Sequence, residues 1–224
     1  PGDEDYIAHF NAVLPAFKDH RYIRVNGNPV FVIYSPMNVP DAAHFISLWQ
    51  ELAKPHGFQI HFVAHTSKPE EMEQYKKWGF KATIMVRLFD VFKHDFSLLE
   101  RINAKFQRIA FKQGRRIDYS KAAKYFCGPE DKNTDCYPTL IPNWDHSPRS
   151  GRAGHILINS TPDKFEKHAE QTFNNVKDKP EEERIVFLKS WNEWAEGNYM
   201  EPDLKFGRGY LEALKKAMNK VFGE

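Results

Sequence analysis

The sequence predicts a parallel α/β protein and, within that class, a (β/α)8 barrel of the TIM type. Short β-branched and aromatic runs alternate with amphipathic stretches at helical spacing, which implies βαβ units and a parallel sheet. Chemically rich segments follow the C-terminal ends of several expected strands, at Tyr34-Ser35-Pro36, His65-Thr66, Arg87, Asn143-Trp144-Asp145 and Trp191 onward. Barrel enzymes build their sites from such βα loops, on one face and from many strands. The 224 residues hold about five strong βα units, whereas a closed barrel needs eight over roughly 250 residues. The expectation is a single domain over 1–224, the C-terminal portion of a (β/α)8 barrel supplying about its last five βα units. About three N-terminal units are then expected from the same full-length protein or from a second chain.

Each element has a local reason. Asp3 to Val13 sets Tyr6, Ile7, Phe10 and Val13 at helical spacing, with acids in the first turn. Pro29 to Tyr34 reads as a fully buried strand. Asp41 to Lys54 repeats Phe45, Leu48, Trp49 and Leu52 at helix period, and Gly57 follows as a stop. Gln59 to Ala64 is a second strand, Pro69 to Trp78 a helix ended by Gly79, and Lys81 to Val86 a third strand. The stretch 88–136 reads as an irregular basic insertion on the rim, with helices permitted from Phe96 to Ala104 and around Ser120 to Phe126. Tyr137 to Trp144 is a fourth strand, His155 to Asn159 a short extra one, and Arg184 to Ser190 the last strong one. Thr161-Pro162-Asp163 opens a helix to about Val176, with Pro near its first turn. Gly209 to Phe222 is the final helix.

Composition narrows the function classes. With 41% hydrophobic and 28% charged residues the mixture is that of an ordinary globular protein. With a net charge of +2, nothing global points to nucleic acid or a membrane surface as partner. The longest apolar runs, Val30 to Tyr34 and Ile84 to Val86, are too short to span a bilayer. Pro1-Gly2-Asp3-Glu4-Asp5 is acidic where a signal peptide carries a basic region. Between Lys93 and Lys124, nine Lys or Arg face three Asp or Glu. That excess reads as a solvated rim or as a contact for an anionic glycan or a diphosphate leaving group. Nucleic acid bound through this stretch is the weakest reading, and it predicts strongly salt-dependent affinity. Cys127 and Cys136 could pair locally or stay as two thiols. The compartment is left open, with a bacterial cytoplasm favoured.

The densest chemistry is Trp191-Asn192-Glu193-Trp194-Ala195-Glu196-Gly197, directly after the expected strand Ile185 to Ser190. Cleaving a glycosidic bond needs one carboxyl group to protonate the departing oxygen and a second to act as base or nucleophile. Two acids crowded beside indole rings are expected to split their proton affinities. Indole faces also suit sugars, offering a flat apolar surface with one polar handle. Three of the five Trp, Trp144, Trp191 and Trp194, fall in the two strand-end motifs, and Glu201-Pro202-Asp203 adds acids close behind. A Glu pair at i, i+3 also occurs on solvated helices, so spacing alone leaves catalysis open.

These motifs resemble those of the WbsX-like glycosyltransferases of bacterial polysaccharide clusters, a family itself similar to glycoside hydrolase family 99, the endo-α-mannosidases. The likeness runs through Arg21-Tyr-Ile-Arg-Val-Asn-Gly-Asn-Pro-Val-Phe-Val-Ile-Tyr34 and Pro142-Asn-Trp-Asp145 with Arg149. It is strongest from Trp191 to Gly197, continuing through Glu201-Pro202-Asp203 to Gly207, Tyr210, Leu211 and Glu212. The resemblance implies a barrel enzyme making or breaking glycosidic bonds of a bacterial polysaccharide with retention, using no metal and no cofactor. It implies Glu193 as the base drawing a proton from the sugar's 2-hydroxyl, and Glu196 as the acid that protonates the leaving oxygen. Substrate contacts are expected at Tyr34, Asn143, Trp144, Asp145, Arg149, Trp191, Asn192, Trp194 and Glu201. Two departures stand out: Ala195 replaces the His of family 99, and the Trp- and Asn-rich N-terminal strand-end motif of the WbsX-like family has no counterpart here.

Other sites fare less well. His61 and His65 share a strand face, as a metal site would require, without a third ligand at suitable spacing. Neither a Gly-rich phosphate loop nor a nucleophile elbow is present. Absence of a nucleotide signature tilts the reading toward hydrolysis or transglycosylation. The rival from another class is a non-catalytic carbohydrate-binding barrel with Trp144, Trp191 and Trp194 as stacking platforms.

Overall fold

A computed structural model describes residues 2–95, 97–111 and 114–223, apart from the side chain of Gln107. The fold is mixed α/β, and the chain divides into two compact units. The first holds Pro1–Val86, Asn133–Tyr137 and Lys179–Ile185; the second holds Arg87–Lys132, Pro138–Asp178 and Val186–Glu224.

In the first unit, α1 (Asp3–Lys18) is followed by β1 (Arg24–Val25) and β2 (Asn28–Ile33), which pair antiparallel. Asn26 and Gly27 close this hairpin at φ 49° and 75°, the left-handed pair that a two-residue turn requires. Helix α2 (Ala42–Ala53) leads to β3 (His61–Thr66), and α3 (Met72–Trp78) leads to β4 (Ala82–Met85). Strands β2, β3 and β4 are parallel neighbours, as the alternation predicts, with Val30 opposite His61 and Val63 opposite Ala82. The expected helix start at Asp41 is an N-cap whose carboxylate accepts from the His44 amide at 3.0 Å. Gly79 ends α3 at φ 102°, a conformation that glycine adopts without strain. The core is aromatic: Phe10, Phe17, Trp49 and Phe62 are fully buried, and the Trp49 indole donates to the Tyr6 carbonyl at 3.0 Å.

In the second unit, α4 (Asp90–His94), α5 (Leu98–Ala110), β5 (Arg115–Asp118) and α6 (Tyr119–Ala123) occupy the stretch expected to be an irregular insertion. The expected helix start at Phe96 lies outside the described residues. Then come β6 (Cys136–Leu140), which begins in the first unit's segment, α7 (Ser147–Ser150), β7 (His155–Ile158) and α8 (Pro162–Val176). Strand β8 (Phe187–Leu188), a hairpin of β9 (Asn192–Glu193) and β10 (Asn198–Tyr199), and α9 (Gly209–Phe222) complete it. Strand β7 pairs in parallel with β5, a partner not expected from the sequence. Strand β8 pairs with β6 over two residues only, Thr139 opposite Phe187 and Leu140 opposite Leu188. The longer expected strand shrinks because β8 has a ladder partner on one side alone among the described residues. Helices α8 and α9 pack through Phe165, Ala169, Phe173, Tyr210, Ala213 and Ala217, with Lys216–Glu166 and Lys220–Glu170 pairs alongside.

Several residues singled out from the sequence find structural roles. Arg87 is buried among Asp90, Glu130 and Asp131, a set that neutralises its charge. Cys127 and Cys136 are free thiols, and burial pushes the Cys127 thiol up to about 11. The His61 imidazole is 2.9 Å from the Tyr137 hydroxyl, and burial, helped by Lys81, lowers its pKa to about 4.

Candidate active site

The site grows from the loop that follows β6. Asn143 is buried and acts as a surrogate strand: its Oδ1 accepts from the Tyr199 amide at 2.8 Å, and its Nδ2 donates to the Tyr199 carbonyl at 3.2 Å. Asn198, fully buried, answers from β10, with Nδ2 donating to the carbonyls of Asn143 at 2.7 Å and Lys189 at 2.8 Å. Two amides thus stitch the loop after β6 to the hairpin after β8, satisfying backbone groups that would otherwise be stranded. Ser190 tightens the same hairpin by donating to the Asn198 carbonyl at 2.6 Å.

Between β9 and β10 the chain makes a short 3-10 turn, Trp194–Glu196, ended by Gly197 at φ 49°. A Cβ on Gly197 would lie 2.8 Å from the Asp145 Cβ, so glycine is needed for both conformation and space. The contact lets the Asp145 amide donate to the Glu196 carbonyl at 2.8 Å. Asp145 also accepts from the Ser147 amide at 2.9 Å and the Ser147 hydroxyl at 2.5 Å, which starts α7. That single turn carries Arg149 toward the hairpin.

Arg149 draws the two expected catalytic carboxylates together. Its Nη1 donates to Glu196 Oε1 at 2.5 Å, and its Nη2 lies 3.9 Å from Glu193 Oε1. His146 Nε2 is 3.4 Å from the same Glu196 Oε1. Glu196 is mostly buried at 12% side-chain exposure, while Glu193 keeps 41%. Two carboxylates, one guanidinium and one imidazole on a partly open surface can move protons to and from a bound oxygen.

The aromatic residues divide. Trp191 and Trp194 are about half exposed, at 50% and 47%. The Trp194 ring stacks on Tyr199 at 3.8 Å, and its indole donates to Glu201 Oε2 at 2.7 Å. Glu201 therefore holds Trp194 in place. Trp144 is buried, stacked on His146 at 5.6 Å with the Lys189 ammonium 5.1 Å from its ring. Asn192 is exposed and sits opposite Tyr199 in the hairpin. Tyr34 belongs to the first unit, where it stacks on His65 at 4.6 Å and lines a hollow of about 280 Å³ with Ser35, Asn38 and Lys68. His146, Asn198 and Tyr199 were not assigned roles from sequence. His146 follows directly on the Asn143-Trp144-Asp145 motif, but Asn198 and Tyr199 carry no signal apart from following Gly197. Among the described residues no group of His, Cys, Asp and Glu side chains is arranged to hold a metal ion. Nor is any described helix long and apolar enough to cross a membrane.

Comparison with known proteins places the chain. Two uncharacterized WxcX proteins, from two strains of Xanthomonas campestris pv. campestris, are each 26% identical to it over 227 residues. The match takes in 98% of this chain but 31% of theirs, so the chain spans about a third of their length. Among solved structures, the GH99 endo-alpha-mannosidase of Bacteroides thetaiotaomicron superposes with a TM-score of 0.55 at 15% identity, over 97% of this chain and 63% of that one. The same enzyme in complex with bis-tris-propane gives 0.55 at 14% identity, over 97% and 65%. The likeness is one of fold. The family model of the WbsX glycosyltransferases matches residues 2–214, nearly the whole sequence. The chain belongs to the WbsX glycosyltransferase family.

Proposed function

We propose that this chain carries the catalytic carboxylates of a carbohydrate-active barrel enzyme that makes or cleaves glycosidic bonds of a bacterial saccharide with retention. In that reading it supplies about five βα units of a (β/α)8 barrel, and strands elsewhere in the protein complete the rim. The observation that carries the proposal is the convergence of Glu193 and Glu196 on the Arg149 guanidinium.

Chemistry can be assigned atom by atom. Glu193, the more exposed carboxylate, takes the proton of the sugar's 2-hydroxyl, and that oxygen attacks the anomeric carbon. Glu196 gives its proton to the departing glycosidic oxygen, then removes one from the incoming acceptor. Arg149 and His146 both contact Glu196 at Oε1, which leaves Oε2 for the glycosidic oxygen. Attack of the acceptor on the anomeric carbon returns the proton held by Glu193 to the 2-oxygen, so the cycle closes. Water as acceptor gives hydrolysis and a second sugar gives transfer. Trp191 and Trp194 offer half-exposed faces against which a sugar ring stacks, and Asn192 lies exposed beside them. Asn143, Asp145 and Glu201 act as positioning residues.

Exposed indoles equally suit a sugar-binding barrel that performs no chemistry, so the test must read turnover and stereochemistry. The intact protein is incubated with a panel of bacterial surface and mannose-containing glycans while proton NMR follows the first anomeric product. Released or transferred sugar of retained configuration supports the proposal. An inverted first product, or binding without turnover across the panel, overturns it.

A further inference from the structure

A second concavity lies within the same unit, lined in part by Arg152, Ala153 and Gly154 just beyond the turn that carries Arg149. Strands β5 and β7 run parallel with Arg115 opposite His155, and the Arg115 amide donates to the Gly154 carbonyl at 2.8 Å. Gly114 allows this approach, since a Cβ there would lie 2.5 Å from the Gly154 oxygen. Helix α5 contacts β5 and presents Arg101, Lys105 and Arg108 one turn apart on one face. Arg152, from the turn that follows α7, adds a fourth guanidinium. The resulting cavity of about 350 Å³ is lined by Arg101, Lys105, Arg108, Arg115, Arg152 and His155, with small residues between them and no carboxylate among the described residues.

We infer that this cavity is a subsite for a phosphoryl group, best matched by a diphosphate, carried by the sugar substrate. That the anion belongs to a sugar rests on the proposed glycosidic activity; that the cavity binds it does not.

Four guanidinium groups and one ammonium line one small volume, a concentration of positive charge that favours a multiply charged anion, and a carboxylate brings one charge where a phosphoryl group brings nearly two. Guanidinium forks match the paired oxygens of phosphate and are the usual choice for it. The Arg115 guanidinium, which lines the cavity, lies 5.0 Å over the Phe92 ring. Burial, then the charges of Arg108 and Arg101, press its pKa below the ordinary arginine value. Position supplies the link to chemistry: residues 147–153 bear Arg149 on the glutamate side and Arg152 on the cavity side. The His146 amide also donates to the His155 carbonyl at 3.1 Å, tying the two walls together.

The test is calorimetric titration of the intact protein with sodium pyrophosphate at low salt, with sodium glucuronate as the carboxylate arm. Pyrophosphate is expected to bind at least about tenfold more tightly than glucuronate, and Lys105→Gln and Arg108→Gln, both on exposed side chains, to weaken it about tenfold each. Lys216→Gln, on α9, is expected to leave binding unchanged. No binding at millimolar pyrophosphate, equal affinity for glucuronate, or equal loss in the Lys216 variant overturns the inference. Glu193→Gln and Glu196→Gln are expected to keep pyrophosphate affinity, so failure of the glutamate mechanism and failure of the anion subsite give separate results.

Discussion

Replacing Asn198 with alanine tests how the hairpin is held. Its Nδ2 donates to two carbonyls, Asn143 at 2.7 Å in buried surroundings and Lys189 at 2.8 Å in partly buried ones. Alanine removes both donors and leaves both acceptors without a replacement. Orphaning a buried acceptor costs about 1 to 3 kcal/mol, so the pair predicts a loss of about 2 to 4 kcal/mol. Against a total stability of about 5 to 15 kcal/mol this is a large share. In urea, with a slope of about 2 kcal/mol per molar, the midpoint falls by about 1 to 2 M. Asn198→Asp is expected to cost more, because at neutral pH it turns an acceptor toward two carbonyl oxygens. Since the same amide ties β10 to the loop of Asn143, sugar turnover is expected to fall with stability. A loss below about 1 kcal/mol for Asn198→Ala, with activity intact, would refute the claim that two buried amides position the glutamates.

Three further predictions follow from single contacts. Gly197→Ala forces a side chain into a left-handed residue and against the Asp145 Cβ 2.8 Å away; thermal unfolding should show a loss of about 1 to 3 kcal/mol. Arg149→Gln touches a half-exposed side chain, so stability should change by less than about 1 kcal/mol while steady-state turnover falls at least about tenfold. For pH dependence, burial of Glu71 opposes ionisation, but bonds from Thr66, Tyr75 and Lys68 prevail and hold its pKa at about 2, below its ordinary 4.5. A depressed carboxylate contributes stability above its unfolded value, and that contribution is lost as pH falls from 4.5 toward about 2. Denaturation midpoints across that window should drop in the wild type and drop less in Glu71→Gln.

Much of the fold was legible because local signals were strong. Gly57 and Gly79 stop helices as expected, and Pro162 opens α8 where a first-turn proline belongs. Gly209 to Phe222 forms the helix that its periodicity implied. Strand β5 was missed because Arg115-Arg116-Ile117-Asp118 is mostly charged, and it forms through pairing with β7 rather than through propensity. Strand β8 was overestimated for the converse reason, since Ile185 to Ser190 has strand composition but a short ladder. At the site, residue types and strand-end position left catalysis open around Glu193 and Glu196, and the family resemblance supplied the expectation of sugar chemistry. What no sequence pattern could supply was the three-dimensional join. Asn143 and Asn198 are 55 positions apart, and Arg149 reaches a carboxylate 47 positions away. The basic stretch from Lys93 to Lys124 was visible as charge, but Arg152 joins it through the fold alone.

The most direct test of the two-glutamate account is turnover of a glycan by the intact protein beside Glu193→Gln and Glu196→Gln, with binding of the same glycan measured in parallel. The account predicts that turnover falls by orders of magnitude in both variants while affinity is retained, because each substitution keeps shape and removes a proton-transfer group. Turnover that survives either substitution would contradict it.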